Sequence, residues 1–304
     1  MLPARALILT LLSMAAFAGN SLLCRLALRQ TDIDAASFTA IRLISGALVL
    51  WLAVHSRRGT RPGVGNWLSA LALFSYAACF SFAYVSLPTG TGALLLFGAV
   101  QALMIGYGIW SGERLRPLQI AGLALAFGGL AVLLLPGVSA PPLAGTVLML
   151  AAGVSWGIYS LRGKGAGDPT QVTAGNFLRA VPLAIGLGAI MLAANRMSVD
   201  AVGIGYAVAS GGLTSGIGYA VWYSVVPALK STTAASVQLS VPVLAAVGGI
   251  AFLGETLTLR LVLASIAILG GIALVALQKR AVPGRTGVPA PATVKNGTLK
   301  SPGD

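Results

Sequence analysis

The chain has 304 residues, of which 57% are hydrophobic and only 9% are charged, and its mean hydropathy is +0.88. Soluble domains carry about 25% charged residues, so this composition excludes a water-soluble fold. The net charge of +13 does not indicate a nucleic-acid partner, because the Lys and Arg residues are scattered in short stretches between apolar runs. The composition therefore predicts an all-α integral membrane protein surrounded by lipid.

Apolar runs near the length of about 20 residues that a helix needs to cross a bilayer follow one another along the chain. The ten predicted spans are 5–28, 34–54, 67–87, 89–110, 117–136, 143–162, 171–195, 200–226, 231–253 and 258–279. The first run resembles a secretory signal peptide as far as Ala18 but continues to Leu28, so we expect it to be retained. Residues 281–304 are polar and rich in Pro and Gly, which predicts a disordered cytoplasmic tail.

An internal repeat with an offset of 142 residues organises the chain. Residues 94–135 and 236–277 each contain two apolar runs joined by a Gly-Glu step, Gly112-Glu113 in the first and Gly254-Glu255 in the second. Self-similarity at a fixed offset indicates a repeated structural unit. Because each half holds an odd number of spans, the second half must enter the membrane in the opposite orientation.

The repeat predicts two inverted five-helix units, residues 1–137 and 138–280, around a central cavity. Inverted repeats around a midplane site are a common transporter design; the alternative is that duplication only produced a stable bundle. The positive charges indicate the orientation, since fourteen Lys and Arg residues fall on one side and four on the other when the termini share a side. We therefore predict that both termini are cytoplasmic.

No span centre contains Asp, Glu or Lys, and the single histidine, His55, lies in a predicted cytoplasmic loop. Cys24 and Cys79 both lie inside apolar runs, so neither a disulfide framework nor a metal site is predicted. We expect no catalytic residues and no cofactor. The absence of carboxylates from the span centres also argues against a proton relay of the kind that ionisable residues within membrane spans form.

Neutral polar and aromatic residues near span centres are the candidates for a substrate cavity. A zwitterionic substrate needs donors for its carboxylate, acceptors for its ammonium group and apolar room for its side chain. Pro242 lacks an N–H and therefore frees the carbonyl group of Gln238. Hydrogen bonding between helices is the alternative role of such polar residues. The candidates are Asn20, Tyr76, Gln101, Trp156, Tyr159, Gln238, Ser240 and Pro242.

Two arginines within spans are candidates for gating. Arg42 and Glu255 share the predicted outer side, and Arg179 and Glu113 share the inner side. Such pairs would act as gates that break alternately. The alternative is that the arginine heads extend to the membrane interface. A further stretch, residues 210–218, is made almost entirely of Gly, Ser and Thr, which predicts close helix packing and, secondarily, a helix that bends.

Several of these segments resemble the ten-helix, EamA-type branch of the drug/metabolite transporter superfamily over residues 6–280. The most specific segments are Phe38–Leu43, 236–271 and Gly112–Leu115. The resemblance implies a two-fold pseudo-symmetric fold in the bacterial inner membrane, with a cavity lined mainly by spans 1, 3, 4, 6, 8 and 9. It also implies a transporter of small metabolites rather than an enzyme.

Residues 92–101 are similar to the corresponding segment of the YddG-like amino-acid exporters. Many relatives have a proline in span 4, where this chain has Val100, so the two halves differ and the site is expected to depend on Gln101. The resemblance implies export of neutral or aromatic amino acids by alternating access. Export of purines, sugar derivatives or cationic drugs is an alternative, and a membrane-embedded enzyme or an assembly scaffold is a remote one.

Overall fold

The computed structural model describes residues 4–56, 65–112, 114–137, 140–163, 166–225, 229 and 237–277. The predicted tail 281–304 and the candidate gating residue Glu113 lie outside the described residues. Within the described ranges every regular element is helical, which confirms the all-α prediction.

Seven helices form the first part of the chain: α1 (Ala4–Gln30), α2 (Ala35–His55), α3 (Trp67–Tyr84), α4 (Thr89–Trp110), α5 (Pro117–Leu134), α6 (Leu143–Gly163) and α7 (Pro169–Ala193). The remaining elements are α8 (Ala201–Ala209), a π-helical segment (Ser210–Ile217), α9 (Gly218–Val225), α10 (Ser240–Leu253) and α11 (Leu259–Leu277). The elements from α8 to α9 follow one another without a break.

Eight helices in the described part of the chain, α1 to α7 and α11, are long and apolar enough to cross a membrane. The shorter helix α10 is also apolar. One continuous, largely apolar helical segment is formed by α8, the π segment and α9. Large hydrophobic side chains such as Leu11, Phe127 and Ile266 are more than half exposed. An apolar surface of this extent is suited to lipid, so the chain is a multi-pass membrane protein.

Helices α5 and α11 pack against each other at the edge of the bundle. A Cβ on Gly122 would lie 2.7 Å from the carbonyl oxygen of Gly271, so only glycine permits this approach. Small residues at a crossing point let membrane helices come close together. The other helices build the centre: α1 packs against α8, α9 and α10, α3 packs against α6 and α7, and α4 packs against α6 and α10.

A carboxylate outside the membrane-spanning segments fixes the start of α2. Asp34 accepts hydrogen bonds from the backbone N–H groups of Ala36 and Ser37, and also from the backbone N–H of Ser198, which precedes α8. Burial acts to raise the pKa of Asp34, but hydrogen bonds from the Ser37 hydroxyl and these N–H groups outweigh it and lower the pKa below its usual value. Asp34 thus caps α2 and ties it to the segment before α8.

Candidate functional site

A cavity of about 980 Å³ lies in the centre of the bundle, a volume typical of a site for a small ligand. Within the described residues its lining reaches the surface at the exposed Gly163 and Pro169, where α6 ends and α7 begins, close to Ala276 in the last turn of α11, and this is called its open end. Its blind end lies at Tyr76 and Phe80, inside the bundle. The lining therefore includes parts of α7 and α11, in addition to the helices that the family resemblance implies.

Six of the eight predicted cavity residues line this space: Asn20, Tyr76, Gln101, Trp156, Tyr159 and Gln238. The other two do not. Ser240 instead donates a hydrogen bond to the carbonyl oxygen of Val237 at 2.7 Å, and Pro242 is buried inside α10. Ser240 and Pro242 thus lie outside the lining in this structure, since the Ser240 hydroxyl is bonded within its own chain segment and Pro242 is buried in α10.

Aromatic rings form one wall of the cavity. The ring of Trp156 lies 4.8 Å from that of Tyr76, 5.3 Å from that of Tyr159 and 5.4 Å from that of Tyr219, measured between ring centroids. Phe17 continues the wall at 5.7 Å from Tyr219. Tyr219 and Phe17 were missed because aromatic residues occur throughout apolar spans, and only the tertiary arrangement shows which of them face inward.

A chain of hydrogen bonds crosses the blind end of the cavity. The amide nitrogen of Asn20 donates to the hydroxyl oxygen of Tyr76 at 3.3 Å. The amide oxygen of Asn20 accepts from the hydroxyls of Ser210 at 2.8 Å and Thr214 at 3.4 Å. Both hydroxyls belong to the π segment, so Asn20 joins α1 to α3 and to this segment.

The guanidinium group of Arg42 lies directly behind this network. Arg42 is only 2% exposed, so the alternative that its head extends to the membrane interface is wrong. It donates to the hydroxyl oxygen of Tyr76 at 3.2 Å and to that of Ser215 at 3.4 Å, and its central carbon lies 4.9 Å from the centroid of the Phe80 ring. Its nitrogen Nη1 is buried and has no hydrogen-bond partner among the described residues.

The π segment brings Ser215 to Arg42. A Cβ on Gly211 would overlap the carbonyl oxygen of Arg42 and the hydroxyl of Ser45, so α2 and the π segment touch backbone to backbone. This contact confirms the close packing predicted for residues 210–218. Short π-helical stretches frequently occur at functional sites, and this one contributes Ser210, Thr214 and Ser215 to the polar network.

Glu255 lies at the opposite end of the bundle from the cavity opening. Its carboxylate accepts from the backbone N–H of Thr89 at 2.8 Å and from the Thr89 hydroxyl at 3.1 Å, at the start of α4. It also forms an ion pair with Arg25 at 3.5 Å. A negative charge at the N-terminus of a helix is favoured by the helix dipole.

The closed end of the bundle is defined by three residues, Arg25, Thr89 and Glu255. Arg25 also donates to the carbonyl oxygens of Tyr84 at 2.7 Å and Val85 at 2.9 Å. A smaller cavity of about 470 Å³ at the closed end shares no lining residue with the central one. The closed end therefore separates the central cavity from that side of the protein.

The predicted pair of Arg42 with Glu255 is not formed in this structure. Arg25 on α1 occupies the position next to Glu255, whereas Arg42 on α2 faces Tyr76 and Ser215. The second predicted pair, Arg179 with Glu113, cannot be compared because Glu113 lies outside the described residues. Arg179 is half-buried and donates to the carbonyl oxygen of Gly175 at 3.0 Å.

The residues that the structure describes contain no group of three or more His, Cys, Asp or Glu side chains placed to hold a metal ion. The central cavity has an uncharged lining throughout its described residues. It offers a ligand hydroxyl and amide groups, a cluster of which lies around Tyr76, together with an aromatic surface. This combination suits a small polar molecule with an apolar part.

The sequence profile of the EamA-like transporter family matches the chain twice, over residues 4–135 and 143–277. A Pseudomonas aeruginosa protein described as uncharacterised is 57% identical over 274 residues, which cover 89% of this chain and 94% of that protein. The threonine/homoserine exporter RhtA of Escherichia coli K12 is 30% identical over 237 residues, covering 74% of this chain and 76% of the exporter.

A solved crystal structure matches the fold with a TM-score of 0.63. The match covers 90% of this chain and 99% of the other, at 21% sequence identity. At this level of identity the match supports the fold alone.

Proposed function

The chain belongs to the EamA-like transporter family, and from this premise we propose that it exports neutral amino acids by alternating access through the central cavity. Family membership and the exporter relatives support a membrane transporter of small metabolites and favour it over an enzyme. The preference for neutral amino acids, aromatic ones among them, and the transport cycle are the parts that we propose.

The observation that carries the proposal is the cavity whose described lining is uncharged and combines hydroxyl and amide groups with aromatic rings. A neutral zwitterion brings one positive and one negative group, so a lining without a fixed carboxylate or ammonium group suits it. The rings of Trp156 and Tyr219 offer surface to an apolar or aromatic side chain. The relative named as a threonine/homoserine exporter supports the same substrate class.

The proposed architecture is two inverted five-helix units, residues 1–137 and 138–280, in ten spans. The helix contacts support it. When each helix is exchanged with its counterpart in the other half, the contact of α3 with α6 becomes the contact of α1 with α8 and α9. By the same exchange, the contact of α4 with α6 becomes the contact of α1 with α10. The contacts of α5 with α11, α2 with α7 and α4 with α10 map onto themselves.

We further propose that the open end of the cavity faces the cytoplasm. With both termini cytoplasmic, Gly163, Pro169 and Ala276 lie on the inner side, and Arg25 and Glu255 lie on the outer side. An exporter takes up its substrate from the inside, so this conformation is ready for loading. Release requires that Glu255 leave Thr89 and Arg25 while the inner ends of the helices close over the cavity.

The experiment is flux through proteoliposomes containing the purified protein, with a panel of neutral amino acids, nucleosides and quaternary amines, with and without a pH gradient. We expect amino-acid flux above that of empty liposomes. Flux of nucleosides or quaternary amines without amino-acid flux would overturn the substrate class and favour purine or cationic-drug export. Amino-acid flux that is insensitive to the imposed gradient would identify a facilitator rather than a proton-coupled transporter.

A further inference from the structure

Arg42 is a buried cation that has no carboxylate partner among the residues that the structure describes. The one ion pair among the described residues joins Arg25 to Glu255, and the partners of Arg42 are neutral hydroxyls and aromatic rings. Removing a charged group from water is costly unless an opposite charge compensates it. Since Nη1 of Arg42 also lacks a partner within the described ranges, the residues there satisfy its positive charge only in part.

Tyr76 connects this charge to the cavity. Its hydroxyl oxygen accepts from Arg42 at 3.2 Å and from Asn20 at 3.3 Å. A tyrosine hydroxyl has two acceptor sites and one proton to donate, so both acceptor sites are used and the proton is left to donate. The described residues offer it no acceptor, and Tyr76 lines the cavity.

The Asn20 amide nitrogen faces Tyr76 while the amide oxygen accepts from Ser210, so Asn20 and Arg42 both donate to the Tyr76 hydroxyl. Arginine has donors only, so the bond from Arg42 requires Tyr76 to accept. The network therefore presents a donor to the cavity, with a positive charge behind it. A hydrogen bond from such a polarised donor is strongest to an anionic acceptor.

We infer that Tyr76 and Arg42 form the subsite for a substrate carboxylate, with the Tyr76 hydroxyl donating directly and the Arg42 guanidinium providing the compensating charge from behind Tyr76. This inference rests on the proposed function, because it places one functional group of the amino acid in the same cavity. Tyr76 touches the substrate, whereas Arg42 is foremost a positioning residue.

The subsite also determines specificity. A substrate without a carboxylate leaves the Tyr76 proton and the Arg42 charge uncompensated, and a cation brings a second positive charge toward Arg42. We therefore expect carboxylate-bearing solutes to be preferred over their amides and over quaternary amines. A purely structural Arg42, which only holds α2, α3 and the π segment together, would not produce this preference.

The test compares L-threonine with L-threoninamide in proteoliposomes, since the two differ only at the carboxyl group. For the wild type we expect kcat/KM for threonine to exceed that for the amide by roughly tenfold or more, the size of a hydrogen bond to a charged group. Tyr76→Phe and Arg42→Gln should each bring this ratio toward one, mainly by raising the KM for threonine. Arg42→Lys, which keeps the charge, should restore part of the ratio.

Matched controls are available on the outside of the bundle. Tyr107 is 47% exposed and Arg196 is also exposed, so Tyr107→Phe and Arg196→Gln should leave the ratio unchanged. Tyr76→Phe keeps the aromatic ring, so the subsite remains testable even if Arg42→Gln does not fold.

The outcomes separate the two proposals. Equal transport of threonine and its amide by the wild type, or an unchanged ratio in Tyr76→Phe, would overturn the carboxylate subsite and leave amino-acid export intact. Transport of nucleosides but of neither threonine compound would overturn both the proposed function and the subsite.

Discussion

Arg25 and Arg42 are two buried arginines with opposite surroundings. Arg25 meets the carboxylate of Glu255 at 3.5 Å and two backbone carbonyl oxygens. Arg42 meets hydroxyls and aromatic rings and has no carboxylate partner among the described residues. In a medium of low polarity a buried cation needs a counter-charge. The protein supplies this counter-charge to Arg25, which locks the closed end. For Arg42 we expect the substrate to supply the counter-charge.

Glu255→Ala should break the first half of this comparison with the largest effect. It leaves Arg25 buried without a counter-charge and removes the acceptor of the Thr89 N–H. Breaking a buried ion pair by removing one partner costs about 3–5 kcal/mol, so thermal unfolding in detergent should shift clearly downward. Glu255→Gln keeps an acceptor for Thr89 and should lose less.

The Glu255→Gln variant should also open the closed end. A cysteine introduced at Ser21, which lines the cavity, should react with a membrane-impermeant maleimide from the outer side more readily in Glu255→Gln than in the wild type. The background carries serine at Cys24 and Cys79. Equal outer-side labelling with and without Glu255 would show that the ion pair does not hold this end shut.

Gly211→Ala should disturb the surroundings of Arg42 instead. The new Cβ would overlap the Arg42 carbonyl oxygen and Ser45, and overpacking of this kind costs about 1–3 kcal/mol. Gly205→Ala in α8 is the matched control, because a Cβ there meets nothing within 4 Å. Melting temperatures of the two variants check this, and equal values would contradict the close contact between α2 and the π segment.

Asp34→Asn should have the smallest effect, because this carboxylate contacts neither arginine in the hydrogen-bond and ion-pair network of the described residues. The pKa of Asp34 is lowered in the folded protein, so its charge stabilises the fold above the unfolded-state pKa of about 3.9. That contribution is lost progressively as the pH falls from this value through the lowered pKa of the folded state. The variant should therefore melt about 1–3 °C lower than the wild type at pH 7, and the difference should be smaller near pH 3. An equal difference at both pH values would contradict this assignment.

The helices and most of the cavity could be predicted because they depend on properties visible along the chain. Runs of apolar residues place α1 to α7 and α11, and polar groups at span centres place Asn20, Tyr76 and Gln101 on the cavity. The Gly-Glu joints were also informative, since Gly112 and Gly254 both have positive φ, at +92° and +62°, a conformation that glycine adopts readily.

The partner of Glu255 could not be predicted in the same way. Arg25 and Arg42 lie on neighbouring helices near the same side, and the rotation of each helix about its own axis decides which one meets Glu255. That rotation results from packing, for example at Gly211 and Ser45, rather than from hydropathy. The contact of Arg42 with Ser215 could not be predicted either, because the wider turns of the π segment change which side Ser215 faces.

The most direct test of the comparison is the ratio of threonine to threoninamide transport in Arg25→Gln and in Arg42→Gln, measured in the same proteoliposome preparation. We predict that Arg25→Gln keeps the wild-type ratio even where its rates fall, because Arg25 holds the closed end and does not touch the substrate. Arg42→Gln should bring the ratio toward one. A fall of the ratio in Arg25→Gln, with the wild-type ratio retained in Arg42→Gln, would contradict the division of roles between the two arginines.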